Sequence, residues 1–303
     1  MERIIGVGAN VYDTLITLKR YPDEDTKMRC DGVRQSGGGP CATGLVAAAK
    51  LGESCAYIGN LADDPGGRFL KADFERFGVS GAYCRTLPGY TSFSSCIWLG
   101  IERATRTVVF DRGNLPPTEI GEKEKRAIAD AAVLMVDGND LDAAVEAAKI
   151  ARLNGTKVLY DAGGLYDGIE RLLPLSDYLI PSEEFALGHT GEKSAEAAAK
   201  RLFDRYSPAV VVVTQGKRGG LLFDGKEARR YPAFPVAAVD SNGAGDVFHG
   251  AFAFAVARGY DPYRASIFSS AVSALKCTKT GARDGAPGYA ETVAFLKENG
   301  YEL

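Results

Sequence analysis

The chain has 303 residues, 46% of them hydrophobic and 25% charged, which suits one large α/β domain or two small ones. Its formal net charge of -3 offers no basic excess and argues against nucleic acid or an anionic membrane as a partner. No run approaches the roughly 18 apolar residues that cross a bilayer, and MERIIGVGAN lacks a signal peptide's apolar segment, so a cytoplasmic protein is expected.

RIIGVG, from Arg3, reads as a buried strand ending in glycines. Gly6-Val7-Gly8 invites a dinucleotide fingerprint, but no third glycine opens a helix there. Ala9-Asn10-Val11-Tyr12-Asp13 follows and leads to a strand, so a nicotinamide-dependent enzyme is disfavoured. Asp13 is either a turn residue or a carboxylate that grips hydroxyls. QSGGGPCATG, Gln35 to Gly44, is either a flexible loop or a place where a ligand approaches backbone. CATGLVAAAKLG then reads as a helix, SCAYIG as a strand, and GGRFLKADFERFG as a helix stopping at Gly78. Downstream, KRAIADAA and LDAAVEAAKIARLNG read as helices before the strands AVLMVD and KVLYDAGG. YLIPSEE is a short strand. AEAAAKRLFDRY precedes AVVVVTQG, a β-branched run typical of a strand buried on both faces. The alternation argues for a mostly parallel sheet covered on both sides. Two segments, about 12–36 and 90–112, break the rhythm and read as strands of a small accessory sheet. With no linker in sight, residues 1–303 are expected to form a single domain.

The chemistry concentrates in DSNGAGDVFHG, Asp240 to Gly250. Small residues let the backbone adopt a tight turn. The apolar run after it has helical spacing. Free N–H groups and the helix dipole make such a helix start attractive to anions. A carboxylate placed there, Asp246, looks like a base beside an anion site. VVVTQGKRGG, Val211 to Gly220, is either a hairpin or a ligand-binding turn at a strand's carboxyl end. Six cysteines without a C-x-x-C pair are expected to be reduced thiols. The two histidines, His189 and His249, support neither a zinc site nor a Ser-His-Asp triad by spacing, and His249 reads as a packing residue.

In this order and separation, Asp13, Gly37-Gly38-Gly39, Thr214-Gln215-Gly216 and Asp240-Ser-Asn-Gly-Ala-Gly-Asp246 resemble the ribokinase-like sugar kinases, the phosphofructokinase-B family. YPDEDTKMRCDGVRQSGGG and ALKCTKTGARDG are most similar to its ketohexokinase and fructokinase-like members. The resemblance implies an α/β ribokinase-like three-layer sandwich, with a mostly parallel central sheet and a small β-sheet lid. It implies an ATP-dependent kinase that phosphorylates a primary hydroxyl of a small sugar, a ketose such as fructose or an analogue. Asp246 matches the catalytic base, and Gly243, Ala244 and Gly245 the anion hole. Asp13, Gly38, Gly39 and Thr43 are expected along the sugar, with Asp137 as a further acceptor. Ser182, Thr214, Gly216 and Gly219 are expected along the nucleotide, beside Gly243 and Gly245. Asp240, Asn242, Gly281 and Gly285 are expected around a monovalent cation such as K⁺, with Mg²⁺ arriving on ATP. In many relatives the lid is also a homodimer interface.

Three features depart from the family pattern. Ser182-Glu183-Glu184-Phe185 stands where Asn-x-x-Glu helps to organise Mg²⁺, Pro40 and Thr43 stand where ketohexokinases have asparagines, and Ser241 stands where threonine is usual. Arg106 and Arg112 are either solvated surface or, pointing inward, readers of an anionic group on the sugar. Two rival readings remain. A nucleoside kinase of the same fold would need stacking from residues such as Tyr90, Phe93 and Trp98. A non-catalytic sugar or nucleotide sensor would have been free to lose Asp246.

Overall fold

A computed structural model describes residues 2–103 and 105–302. Residue 104, inside the second expected accessory segment, lies outside the described residues. Strand β1 (Ile4–Val7) is buried at every position. The chain turns at Gly8 into β2 (Val11–Leu18) and returns through β3 (Gly32–Gly38). Helix α1 (Pro40–Lys50) starts at once, with Pro40 where a missing N–H costs nothing. Its N-cap, Gly39, has φ 89°, and a Cβ there would sit 2.5 Å from the Ala9 carbonyl oxygen. Next come β4 (Cys55–Ala62) and α2 (Pro65–Phe77). Asp64 caps α2 by accepting from the Gly67 N–H, and Gly78 ends it in the left-handed region. Strands β5 (Val79–Leu87), β6 (Ser94–Gly100) and β7 (Thr105–Asp111) follow.

The second half alternates more regularly. It runs α3 (Glu122–Asp130), β8 (Val133–Val136), α4 (Leu141–Asn154), β9 (Lys157–Ala162) and β10 (Tyr178–Pro181). Then come α5 (Glu183–Thr190), α6 (Ala195–Tyr206), β11 (Val210–Thr214) and the hairpin partners β12 (Gly220–Phe223) and β13 (Ala228–Tyr231). Helices α7 (Ala244–Ala257), α8 (Pro262–Cys277) and α9 (Tyr289–Glu298) complete the chain.

Among the described residues, nine strands form one sheet in the order β13-β12-β11-β10-β9-β8-β1-β4-β5. Every pairing is parallel except the two that add the hairpin at one edge. Apolar side chains fill both faces. Ala42, Leu45, Phe252 and Phe268 belong to one core, and Ala144, Ala148, Leu179 and Leu202 to the other. The result is a helix–sheet–helix sandwich, as the alternation predicted. A separate four-stranded sheet, β3-β2-β6-β7, is built from the two segments that broke the rhythm.

Two local readings are corrected. YLIPSEE is not strand to its end: the Ser182 hydroxyl accepts from the Phe185 N–H at 3.1 Å, caps α5, and turns Glu183 and Glu184 into helix. The run after Gly78 is strand β5, which the reading of that helix left unassigned. On the site's side of the sheet, α1 and α7 approach closely. A Cβ on Gly250 would overlap the Gly44 carbonyl, so only glycine lets α7 settle against α1.

Candidate active site

Strands β1 and β8 lie side by side, yet the chain leaves β1 toward β4 and leaves β8 toward β9. Such a switch point opens a crevice at the carboxyl ends of the strands. Asp137 follows β8 there. Its Oδ2 accepts from the N–H groups of Ala9 (2.8 Å) and Cys41 (2.9 Å), and its Oδ1 from Asn139 N–H (2.9 Å). It is 3% exposed. The expected sugar acceptor is thus spent on holding β8, β1 and α1 together.

Asp13, on β2, keeps capacity for a ligand. Ser95 of β6 donates to its Oδ1 at 2.6 Å. Burial raises its pKa to about 6, against the opposing effects of Ser95 and the Arg283 charge. Gly38 lies beside it, and a Cβ at that position would overlap Asp13 Oδ2. Glycine here makes room for the carboxylate. Thr43, in contrast, is fully buried with its hydroxyl unpartnered, so it stands behind the pocket wall. Arg283, 1% exposed, braces this side. It donates to Asp73 Oδ2 (2.7 Å), Asn10 Oδ1 (2.8 Å) and the Gly38 carbonyl (2.6 Å).

Helix α7 starts at the small-residue turn. Gly243 is its N-cap with φ 74°. The Val247 N–H bonds the Gly243 carbonyl at 2.9 Å and the Ala244 N–H bonds that of Ser241 at 3.2 Å. This leaves the amides of Gly245 and Asp246 at the helix end without an intrahelical acceptor. Beyond the adjoining residues and the helix's own backbone, no described atom lies within 4 Å of where a Gly245 Cβ would be. Asp246 is half-buried in the same turn. Its pKa is pushed up to about 7, first by burial and then by the Asp161 carboxylate, with His249 opposing. Asp13 and Asp137 act on it in the same upward direction, so Asp13 and the candidate base share one electrostatic environment.

His249, one turn further along α7, does more than pack. Its Nδ1 lies 2.7 Å from the Gly245 carbonyl and 3.1 Å from Asp161 Oδ2, and its Nε2 lies 3.0 Å from the Ile180 carbonyl. The ring ties the helix that carries Asp246 to β9 and β10.

A cavity of about 580 Å³ adjoins the Gly245 amide. Thr214, Gly216, Gly219, Ser241, Ala244 and Phe248 are among its lining residues. The turn from Thr214 to Gly220 is therefore both a hairpin and a cavity wall. Gly219 has φ 79° and lies against the Tyr231 carbonyl, so a side chain is excluded twice over. Ser182 does not line this cavity; its hydroxyl is the α5 cap. Glu183 accepts from Gln215 Nε2 (2.6 Å) and from Arg218, while Glu184 is exposed and Phe185 buried.

The expected cation ligands are arranged around Asp240. Its Oδ1 accepts from Asn242 N–H and its Oδ2 from Gly281 N–H, both at 2.8 Å. Gly285 packs against the Gly281, Lys279 and Lys276 carbonyls. The Asp240 carbonyl itself accepts from Lys276 Nζ at 2.6 Å. A fixed ammonium therefore holds the group expected to hold K⁺. Arg106 lies on β7, a strand exposed along its length, and its charge reaches Lys276. Arg112 is also exposed. Its guanidinium faces the Phe93 ring (5.8 Å) and the Tyr166 ring (5.7 Å).

Ser95, Asp161, Lys276 and Arg283 were not singled out by sequence reasoning. A charged residue at a buried helical phase, Lys276 after AVSAL, was the one signal available.

A model of the pfkB family carbohydrate kinases matches residues 8–288. Ribokinase of Haemophilus influenzae is 30% identical over 298 residues, covering 96% of this chain and 97% of that protein. Ketohexokinase of Mus musculus is 26% identical over 291 residues, covering 92% and 97%. The structure of Arabidopsis thaliana ribokinase complexed with ribose and ATP shares the fold, with a TM-score of 0.87 at 23% identity over 98% of this chain and 99% of that one.

Proposed function

The chain belongs to the pfkB family of carbohydrate kinases, which use ATP, and on that premise we propose that it phosphorylates a primary hydroxyl of a small sugar, a ketose in the first instance. The observation that carries this reading is the α7 turn. One carboxylate with a pKa near 7 stands beside two outward amides, between the Asp13 side and the 580 Å³ cavity. In this reading ATP occupies the cavity, with its base toward the hairpin and its phosphates at the helix end. Mg²⁺ would be carried by those phosphates and water, since Glu183 is engaged by Arg218 and Gln215. Asp13 accepts hydrogen bonds from two sugar hydroxyls and orients them. Asp246 takes the proton of the reacting hydroxyl, whose oxygen attacks the γ-phosphorus as the bond to ADP breaks. The Gly245 and Asp246 amides stabilise charge on the transferring group. The four-stranded sheet acts as the lid, its outer face as a homodimer interface, and the cytoplasm supplies the nucleotide.

One observation supports a second acceptor class. Arg112 stacks on two rings with no carboxylate of the described residues paired to it, which suits a sugar carrying a carboxylate, sulfonate or phosphate. The test is kcat/KM by coupled ADP release for fructose, ribose, an anionic ketose and a nucleoside. A neutral ketose is expected to lead. Preference for the anionic sugar, lost in Arg112→Ala, would install the second reading. Preference for the nucleoside would overturn both.

A further inference from the structure

We propose that the buried ammonium of Lys276 takes the place of a monovalent cation beside the Asp240–Asp246 turn, so that the enzyme works without K⁺. The inference rests on the kinase reading for its catalytic meaning, but on the geometry of Asp240 for its substance.

Lys276 is 0% exposed. A lysine is almost never enclosed unless its charge is answered. Here the answer is Asp240. The ammonium donates to its carbonyl at 2.6 Å and lies 3.8 Å from its Oδ1. The position is fixed from both ends. Lys276 is in the last turn of α8, and the next residue's carbonyl accepts from the N–H groups of Val239 (2.7 Å) and Asp240 (3.1 Å). The ammonium and the backbone it grips are therefore held by the same helix end.

The C-terminal loop is answered in a similar way. Lys50 Nζ donates to the carbonyls of Arg283 (3.2 Å) and Asp284 (2.8 Å). Two lysines thus take carbonyls on either side of the ring that Asp240, Asn242, Gly281 and Gly285 were expected to form. A K⁺ ion on the Asp240 carbonyl would be a close neighbour of a fixed positive charge in a partly desolvated place, and the two would repel. The donor set does not fit the ion.

Lys276 also suits the role a cation would have. It holds Asp240 and so shapes the turn that presents the Gly245 amide. Its charge is felt together with that of Asp246, on the side of the helix where phosphoryl charge would gather. It acts through the turn and is a positioning residue.

The test has two readouts, melting temperature of the nucleotide-free protein and kcat, each in KCl and in tetramethylammonium chloride at equal ionic strength. The wild type is expected to show the same melting temperature and a kcat within about twofold in the two salts. Lys276→Gln is expected to lose on the order of tenfold or more in kcat in tetramethylammonium, and to regain both rate and melting temperature in K⁺ as the ion enters the place vacated. A wild type that K⁺ stabilises or activates several-fold overturns the proposal. So does a folded glutamine variant that K⁺ leaves unchanged in both readouts. If the variant does not fold, the wild-type comparison decides alone. If no sugar is phosphorylated, the melting comparison still decides, so failure of the kinase reading and failure of this one are told apart.

Discussion

Asp246→Asn is expected to slow turnover by orders of magnitude and to stabilise the protein at once. The Asp246 pKa is raised from 3.8 to about 7. The native state therefore binds this proton more readily than the unfolded chain does. Stability from this group is highest below about pH 4, falls as pH rises toward 7, and reaches its full deficit above that. About three pH units at ~1.4 kcal/mol each set a ceiling of about 4 kcal/mol, and the partial exposure of Asp246 makes the realised figure smaller. Asparagine keeps the shape without the charge. Its melting temperature should exceed the wild type's by a few degrees at pH 8 and match it at pH 4. Loss of the base should cost ~10²–10⁴-fold in kcat. In the wild type, kcat/KM should fall about tenfold per pH unit below 7 as the base is protonated. The assays are thermal melts at pH 4, 6 and 8 and coupled ADP release. An asparagine variant that melts below the wild type at pH 8 would refute the buried-charge argument. One that turns over normally would remove Asp246 as the base.

Gly245→Val should fold and melt like the wild type, because no described atom beyond the adjoining residues and the helix's own backbone lies within 4 Å of the new Cβ, yet phosphoryl transfer should fall below detection as the side chain enters the phosphate space; activity in the folded variant would mean the amides bind no phosphate. On β7, Val108, Val109 and Phe110 are 46%, 63% and 57% exposed, an unusual apolar edge for a free surface. Sedimentation should show a dimer that Phe110→Asp converts to monomer, and a monomeric wild type would remove the lid–lid interface.

The body of the fold was legible where burial on both faces left an unbroken apolar run, as in AVLMV and AVVVV. It was not legible in β5, whose mix of buried, half-buried and exposed positions follows no strand period. Strand β7 is exposed at every position, and only its β-formers, TRTVVFD, placed it in the accessory sheet. The small-residue turn was legible from local grammar, whereas Asp13 stood open between a turn residue and a ligand carboxylate until the family resemblance was added. Their supports were not, since each is brought in by the fold from far along the chain. Ser95 reaches Asp13 across 82 positions, and Arg283 reaches Asn10 across 273. Asp137 misled for the same reason: a carboxylate after a strand looks available until the amides of Ala9 and Cys41, which only the fold delivers, are seen to occupy it.

Four carboxylates with raised pKa values gather at this switch point, Asp13, Asp137, Asp161 and Asp246. Burying four such groups together is costly unless each has a compensating partner, and the partners differ in kind. Asp137 is compensated by backbone amides, which cannot leave; it is a fixture. Asp161 faces His249, whose two nitrogens both approach backbone carbonyls, so the pair is bound into the sheet. Asp13 has one hydroxyl, from Ser95 on the accessory sheet, and a second oxygen next to a glycine. Asp246 has no hydrogen-bonding side chain among the described residues, only the field of its neighbours. Asp161 Oδ2 is nonetheless buried without a hydrogen bond and depends on the neighbouring ring alone. Of the four, Asp13 and Asp246 are the two that the proposed reading sets against hydroxyl groups of a sugar, and a sugar donating to both would offset part of the cost of gathering carboxylates in one place.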